Sequence, residues 1–529
     1  MKMKTESFRL LPSLSPIASA LLTVSVFTFV ALPISWYAGL LPLSTVDLLL
    51  AVSLMSLAAA YRPGWVFLLL VAVLPLEIVN LAPVSIGMNL RPYQFLTMAV
   101  YAGLFMRFLA GRKLPRWPKI HPVDVLLFLV PIGAFLSSVF AESPASAFRY
   151  AIILSTFFAV YWLFRIYIRS SDDLRRMLPF SVFPMILSSV AAIVQNRLFL
   201  SGAKSFEVMP GRPDGFFPEP DWLGMYAILF LAFLVSSGYF LIVRAATFRV
   251  MLRSGRLRFV FGAAILCIAV LIMTVSRSAW LGSIAVVLAA LALPIFVGRA
   301  RISAYLLALL SAAKVGALAL VILVPLSDFD LFGRVASVGS GLQAITVSCD
   351  GEAALPDSIR NVEELSGYGC RHIDLEAIDS ERASGRFITT VMRSDPNVSI
   401  RRDIYARAIS LGLTRPVLGV GWGSVSAVLG ADERGAGLNA SDVFLEAWLG
   451  SGLLGLVGLI GFLAWLALGS FRVYLARGGG VVPLFLLSSF SGLVVFDLFN
   501  SGILLGYLWA LFGIAGSFLA EPDAFTETA

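Results

Sequence analysis

Apolar runs of about 20 residues recur along this chain, separated by short polar connections, and few folds accommodate that pattern. A run of that length crosses a bilayer as one helix, which pairs its own backbone groups where no water is available. Charged residues make up only 14% of the sequence and hydrophobic residues 59%. A water-soluble domain carries about a quarter charged residues, so a soluble multidomain protein is excluded. The reading is an all-α polytopic membrane protein with about 12–14 transmembrane helices and one large extracytoplasmic loop.

The expected spans are about 16–38, 43–61, 64–80, 93–110, 123–140, 147–168, 178–199, 222–243, 259–275, 279–297, 303–325, 442–468, 481–499 and 503–520. The first reads as a retained anchor rather than a cleaved leader, because it is long enough to span and further apolar runs follow it directly. Basic residues sort onto one side of these spans. Lys2, Lys4, Arg9, Arg62, Arg107, Arg112, Lys113, Arg116 and Lys119 begin the series, and Arg165, Arg169, Arg175 and Arg176 continue it. Arg244, Arg249, Arg253, Arg256, Arg258, Arg299, Arg301, Arg472 and Arg477 complete it. The positive-inside rule makes that side cytoplasmic, with both termini. The net charge of +8 therefore reports orientation in a cytoplasmic membrane, with no indication of nucleic acid.

The chain accordingly divides into membrane helices over 1–326, an extracytoplasmic loop over 327–441 and further helices with a short tail over 442–529. Within the loop, residues at about 339–397 read as an inserted subdomain. Cys349 and Cys370 both fall there; on an oxidising face they can bridge, the alternative being two free thiols. His121 and His372 are the only histidines and have no metal-ligand spacing, so neither a metal nor a cofactor is expected.

Charges on the outer side are not needed for orientation and call for a chemical reading. The short outer loops hold Arg91, Arg149, Arg197, Lys204, Arg212 and Arg277, and three groups stand out: Arg212 with Asp214, Glu219 and Asp221; Ser276-Arg277; and Arg401-Arg402 on an amphipathic segment over 399–413. Arginine stays charged at an interface, and its planar fork grips phosphate oxygens bidentately. Several such groups suit a lipid-linked diphosphate, although a lone arginine often only snorkels to lipid phosphate. Gly419, Gly421 and Gly423 lack the strand–helix context of a nucleotide loop and read as a turn. Gly450, Gly452, Gly455, Gly458 and Gly461 read as close helix packing. Asp47, Glu77, Lys314 and Asp497 fall within or near expected spans, where a charge is costly; Lys314 marks either a cavity or a misplaced boundary.

The order of these motifs resembles the O-antigen ligase and polysaccharide polymerase superfamily. The resemblance runs from Arg212–Phe217 with Glu219-Pro220-Asp221, through Ser276-Arg277, Arg401 with Tyr405, and Pro416 with Gly419-Val420-Gly421. It ends on Asn439–Glu446 leading into Gly452-Leu453-Leu454-Gly455. It implies a metal-independent, inverting glycosyltransferase using glycans on undecaprenyl diphosphate. Arg277 and Arg401, with Arg402 and Arg212, would hold the donor diphosphate. Ligases of this superfamily carry a His-Asn pair where this chain has Ser441-Asp442. The missing histidine leaves Asp442, Glu219, Asp221 and Glu446 as candidate bases and favours a polymerase over a ligase. A flippase or other transporter, and a non-catalytic partner of polysaccharide assembly proteins, are the alternatives from other classes.

Overall fold

The structure, a computed structural model, describes residues 15–209, 211–244, 254–296, 310, 313–319, 321, 342–351, 355–359, 362–373, 378–394, 396–430 and 438–525. The expected span 303–325 lies mostly outside these residues, as do Lys2, Lys4, Arg9, Arg249, Arg253, Arg299 and Arg301. The chain forms two compact units, one of residues 1–327 with 410–529 and one of Asp328–Ile409.

The larger unit is helical. Its helices are α1 (Pro16–Tyr37), α2 (Thr45–Tyr61), α3 (Pro63–Val73), α4 (Pro92–Leu109), α5 (Pro122–Val139), α6 (Pro144–Tyr167) and α7 (Ser171–Leu200). After them come α8 (Pro220–Arg244), α9 (Gly255–Met273) and α10 (Arg277–Phe296). Among the described residues, eight helices are long and apolar enough to cross a membrane, and four more are shorter and apolar. Their outward faces are greasy: Phe27, Leu54, Leu57 and Leu288 are exposed. In water such a surface would be a liability, whereas lipid solvates it.

Proline and glycine place several boundaries away from the expected ones. The helix expected over 64–80 stops at Val73, because Pro75 has no N–H to continue the ladder. At 11 residues α3 is about 16 Å long, too short to cross about 30 Å of hydrocarbon. Glu77 therefore lies beyond its end. In contrast, α7 runs for 30 residues through Pro179 and Pro184. Lys314 is an exposed residue of the helical stretch 313–319.

The smaller unit departs from the helical pattern. Among the described residues it carries four strands, β1 (Leu342–Cys349), β2 (Ser358–Ile359), β3 (Cys370–His372) and β4 (Phe387–Ser394), in the order β2-β4-β1-β3. β1 pairs antiparallel with β4 along its whole length and with β3 at its end, where Cys349 faces Cys370. Those two cysteines are joined in a disulfide. Ile345, Val347, Val391 and Leu365 fill a small core beneath them. Two helices follow in the chain, α11 (Ile378–Ala383) and α12 (Pro396–Thr414).

The larger unit resumes with α13 (Val425–Leu429), α14 (Val443–Arg477), α15 (Val481–Asp497) and α16 (Gly506–Ala520). α14 packs along α5, and glycines set the approach. A Cβ on Gly133 would lie 2.2 Å from the Ser451 carbonyl oxygen, and one on Gly458 2.5 Å from that of Leu126. Of the glycine series read as packing, Gly458 meets the α5 backbone and Gly461 the Leu126 side chain, whereas Gly450 lies against Trp422 and Gly452 against the 417–418 backbone.

α14 is also broken. Gly452 has φ 64° and ψ −165°, so the Leu453 N–H cannot reach the Leu449 carbonyl as in a continuous helix. The connection over 416–424 supplies both missing partners. Leu453 N–H donates to the Val417 carbonyl at 2.9 Å, and the Leu449 carbonyl accepts from Val420 (2.7 Å) and Gly421 (3.0 Å). The turn expected at Gly419–Gly423 thus repairs the helix break by strand-like pairing.

Candidate functional site

Several helices start on one face of the larger unit. Residues at or near the N-terminal ends of α4, α6, α8, α14 and α16 line a polar cavity of about 440 Å³ there. Its walls include Arg91, Tyr150, Trp222, Trp422, Asn439 and Glu446, and the connection over 501–505 closes one side. Each helix start turns the positive end of its dipole toward this side, which favours an anion.

Arg91 gives the cavity a fixed cation. Its Nε lies 2.7 Å from Glu77 Oε2, and its Nη1 donates to the Leu504 carbonyl at 3.3 Å. The Glu77 side chain is fully buried and also accepts from the Tyr93 hydroxyl (3.0 Å) and the Gly506 N–H (2.9 Å). Burial works against the Arg91 charge, but Glu77, Tyr93 and Tyr150 together more than offset it and the arginine pKa rises. Glu77 thus holds the Arg91 side chain, one-fifth exposed, at the cavity wall.

A second network adjoins this one. Arg212 pairs with Asp221 at 3.3 Å and donates from Nε to the Thr274 carbonyl at 3.1 Å. The Ser276 hydroxyl bonds the other oxygen of Asp221 and contacts Ser278, which accepts from Asn500 at 2.7 Å. Asn500 precedes the 501–505 connection, so the network reaches the cavity wall. Glu219 lies half-buried beside it; burial first, and then the Asp221 charge, push its carboxyl up. Arg277 opens α10 directly after Ser276.

The third group sits at the start of α14. Asp442 caps the helix, accepting from the Phe444 and Leu445 N–H groups at 2.9 Å each. Burial raises its carboxyl pKa, and those two bonds pull it back. Glu446, one turn on, lines the cavity and accepts the Ala440 N–H at 2.7 Å. Non-glycine residues with positive φ flank both groups: Val275 at 53°, before Ser276, and Ser441 at 51°, before Asp442. A β-branched residue in that region is strained, and such strain persists where surrounding structure fixes it.

Arg212, Asp221, Glu219 and Ser276 are therefore brought together, and Asp442 and Glu446 share one helical turn. Arg401, half-buried, and Arg402, exposed, lie on α12 within the smaller unit. Arg91, Glu77, Tyr150 and Asn500 were not picked out as site residues from the sequence. The available signals were an outer-side arginine and a carboxylate near a span, but no local spacing joins them.

The loop before α8 is held by Asp214, which is fully buried. One oxygen accepts from Val208 N–H at 3.2 Å and Gln195 Nε2 at 3.4 Å; the other has no hydrogen-bond partner. Burial pushes this carboxyl from 3.8 up to about 7. A folded-state pKa above the unfolded value means the folded chain binds more protons between the two, so stability falls as pH rises through that window. The melting midpoint in detergent should decline from pH 5 to pH 8, and Asp214→Asn should flatten the decline. An unchanged slope in the variant would remove Asp214 as the cause.

Residues 262–460 match the family described as O-Antigen ligase. The match bears out the resemblance to the O-antigen ligase and polysaccharide polymerase superfamily. It takes in Ser276-Arg277, Arg401, the helix break at Gly452 and the Asp442–Glu446 turn, while Arg91 and Arg212 precede it. No curated protein matches the chain.

Proposed function

We propose that this membrane protein, through its O-antigen ligase segment, is a polymerase-type glycosyltransferase that joins undecaprenyl-diphosphate-linked glycan units on the outer face of the bacterial cytoplasmic membrane. Both termini are then cytoplasmic, and the segment 327–441 is extracytoplasmic. The observation that carries the reading is the Arg91 guanidinium, fixed by Glu77 where helix N-termini line a polar cavity. Preplaced positive charge stabilises a diphosphate most as it departs, when negative charge builds on the leaving oxygen.

In this reading Arg91 holds the donor diphosphate, and the family resemblance adds Arg277 and Arg401 to that role. Arg212 orders Asp221 and the Ser276 turn. An acceptor hydroxyl oxygen bonds to the anomeric carbon as the carbon–oxygen bond to the diphosphate breaks. A carboxylate takes the hydroxyl proton. Glu446 is the preferred base: it faces the cavity, whereas one oxygen of Asp442 is committed to capping α14. Transfer to a lipid A core is the second reading; the Ser441-Asp442 pair in place of the ligases' His-Asn favours polymerisation.

The test uses purified protein in liposomes with a lipid-linked oligosaccharide, with and without a lipid A core acceptor. Longer lipid-linked chains, lost in Glu446→Gln, are expected. Product on the core alone makes the protein a ligase. No product, with donor binding intact, would overturn the enzymatic reading.

A further inference from the structure

α5 and α6 each have one end near the cavity just described. At their other ends, about 27 Å away along the 18 residues of α5, lies a second polar cavity of about 320 Å³. Lys119, His121, Arg165, Arg169 and Glu521 line it. Its floor is rigid: the buried Arg165 guanidinium makes two bonds to Asp124, at 2.8 and 2.9 Å, and the Tyr161 hydroxyl also bonds Asp124. Arg165 donates as well to the Lys119 carbonyl at 3.2 Å, which ties the basic connection to this floor.

Three cations thus meet two carboxylates, leaving an excess of positive charge. One of the carboxylates, Glu521, is half exposed and 3.5 Å from Arg169. Such a pair is weak and can yield to a better anion. His121 accepts the Val123 N–H on Nδ1, so in its neutral form the proton sits on Nε2 as a further donor.

Two apolar grooves flank this cavity. One, of about 500 Å³, is lined by Leu126 and Trp465; the other, of about 430 Å³, by Phe128, Phe158 and Trp162. Ile120 borders all three spaces, and Val125 borders both grooves. Ile120 is 74% exposed and Val125 51%, so these walls face the bilayer rather than the protein interior.

The geometry points to a structural binding site for a two-chain anionic phospholipid. The phosphate rests on Lys119, Arg169 and His121, and one acyl chain lies in each groove on either side of Val125. Charge complementarity selects the head group, and the two grooves beside one basic pocket match a diacyl tail. In the orientation proposed above this is the cytoplasmic leaflet, where basic pockets between helices meet anionic lipid.

The experiment follows the melting midpoint of the full chain in neutral detergent. Phosphatidylglycerol should raise it by about 3 °C more than phosphatidylcholine does. That difference should vanish in Lys119→Gln/Arg169→Gln, and also in Ile120→Glu, which alters only an exposed residue. Equal shifts with both lipids, or a full difference retained in either variant, would overturn the proposal. So would an equal shift with inorganic phosphate, which would make the occupant a soluble anion. None of these outcomes depends on glycan transfer.

Discussion

Replacing Arg91 with glutamine should lower glycan transfer by about 10²–10³, the loss typical of removing one preorganised group that stabilises developing charge. The variant alone is ambiguous, because it leaves Glu77 buried without its cation. Breaking a buried pair from one side costs about 3–5 kcal/mol. The double variant Glu77→Gln/Arg91→Gln removes both charges, and the amide that replaces the Glu77 carboxylate can still bond Tyr93 and Gly506. Its melting midpoint should recover most of the loss while its transfer rate stays low. If activity returned with stability, Arg91 would be a folding element and the diphosphate reading of the cavity would fall.

Gly452→Ala is the largest expected stability effect. An alanine at φ 64° is strained, and its Cβ would lie 2.1 Å from the Val417 carbonyl oxygen. That carbonyl cannot retreat without losing its bond to Leu453. Strain and overpacking together should cost about 2–6 kcal/mol. Thermal denaturation in detergent tests this, with Gly461→Ala as the comparison. Gly461 also lies on α14, but the nearest atoms to its Cβ are flexible ends of the Leu126 side chain at 3.0 Å or more. Equal losses in the two variants would mean that the break is not the sensitive point.

Much of the helical architecture was legible because lipid forces it: each span announces itself as an apolar run, whatever it later packs against. The ends were less legible. α3 stops at Val73 rather than at about 80, and α7 begins at Ser171 rather than at about 178, since proline position and local pairing, rather than hydrophobicity, decide where a helix frays. The strands around Cys349 were not legible either, because β1 pairs with β4 about 40 residues away, and its short alternation over Ile345–Cys349 does not name the partner. In the site, Arg212, Asp221 and Ser276 stood out as polar groups at span ends. The Arg91–Glu77 pair did not. Glu77 looked like an awkward carboxylate near a span, and only the early end of α3 and the arrival of Gly506 give it partners.

The same distinction applies to the glycines over 419–423. Their spacing signalled a turn, but not that the turn would complete another segment's hydrogen bonding. Such pairing is decided by tertiary contact alone.

The repaired break in α14 has a mechanical consequence. Val417, Val420 and Gly421 are tied to Leu449 and Leu453, and Trp422 is bonded through its indole N–H to Ser451 at 2.6 Å. Sliding or unwinding the start of α14 would break these bonds together, and in a membrane each orphaned backbone group costs several kcal/mol. This wall therefore behaves as an anvil rather than a jaw: whatever enters the cavity has to conform to it, and any opening movement falls to the opposite walls.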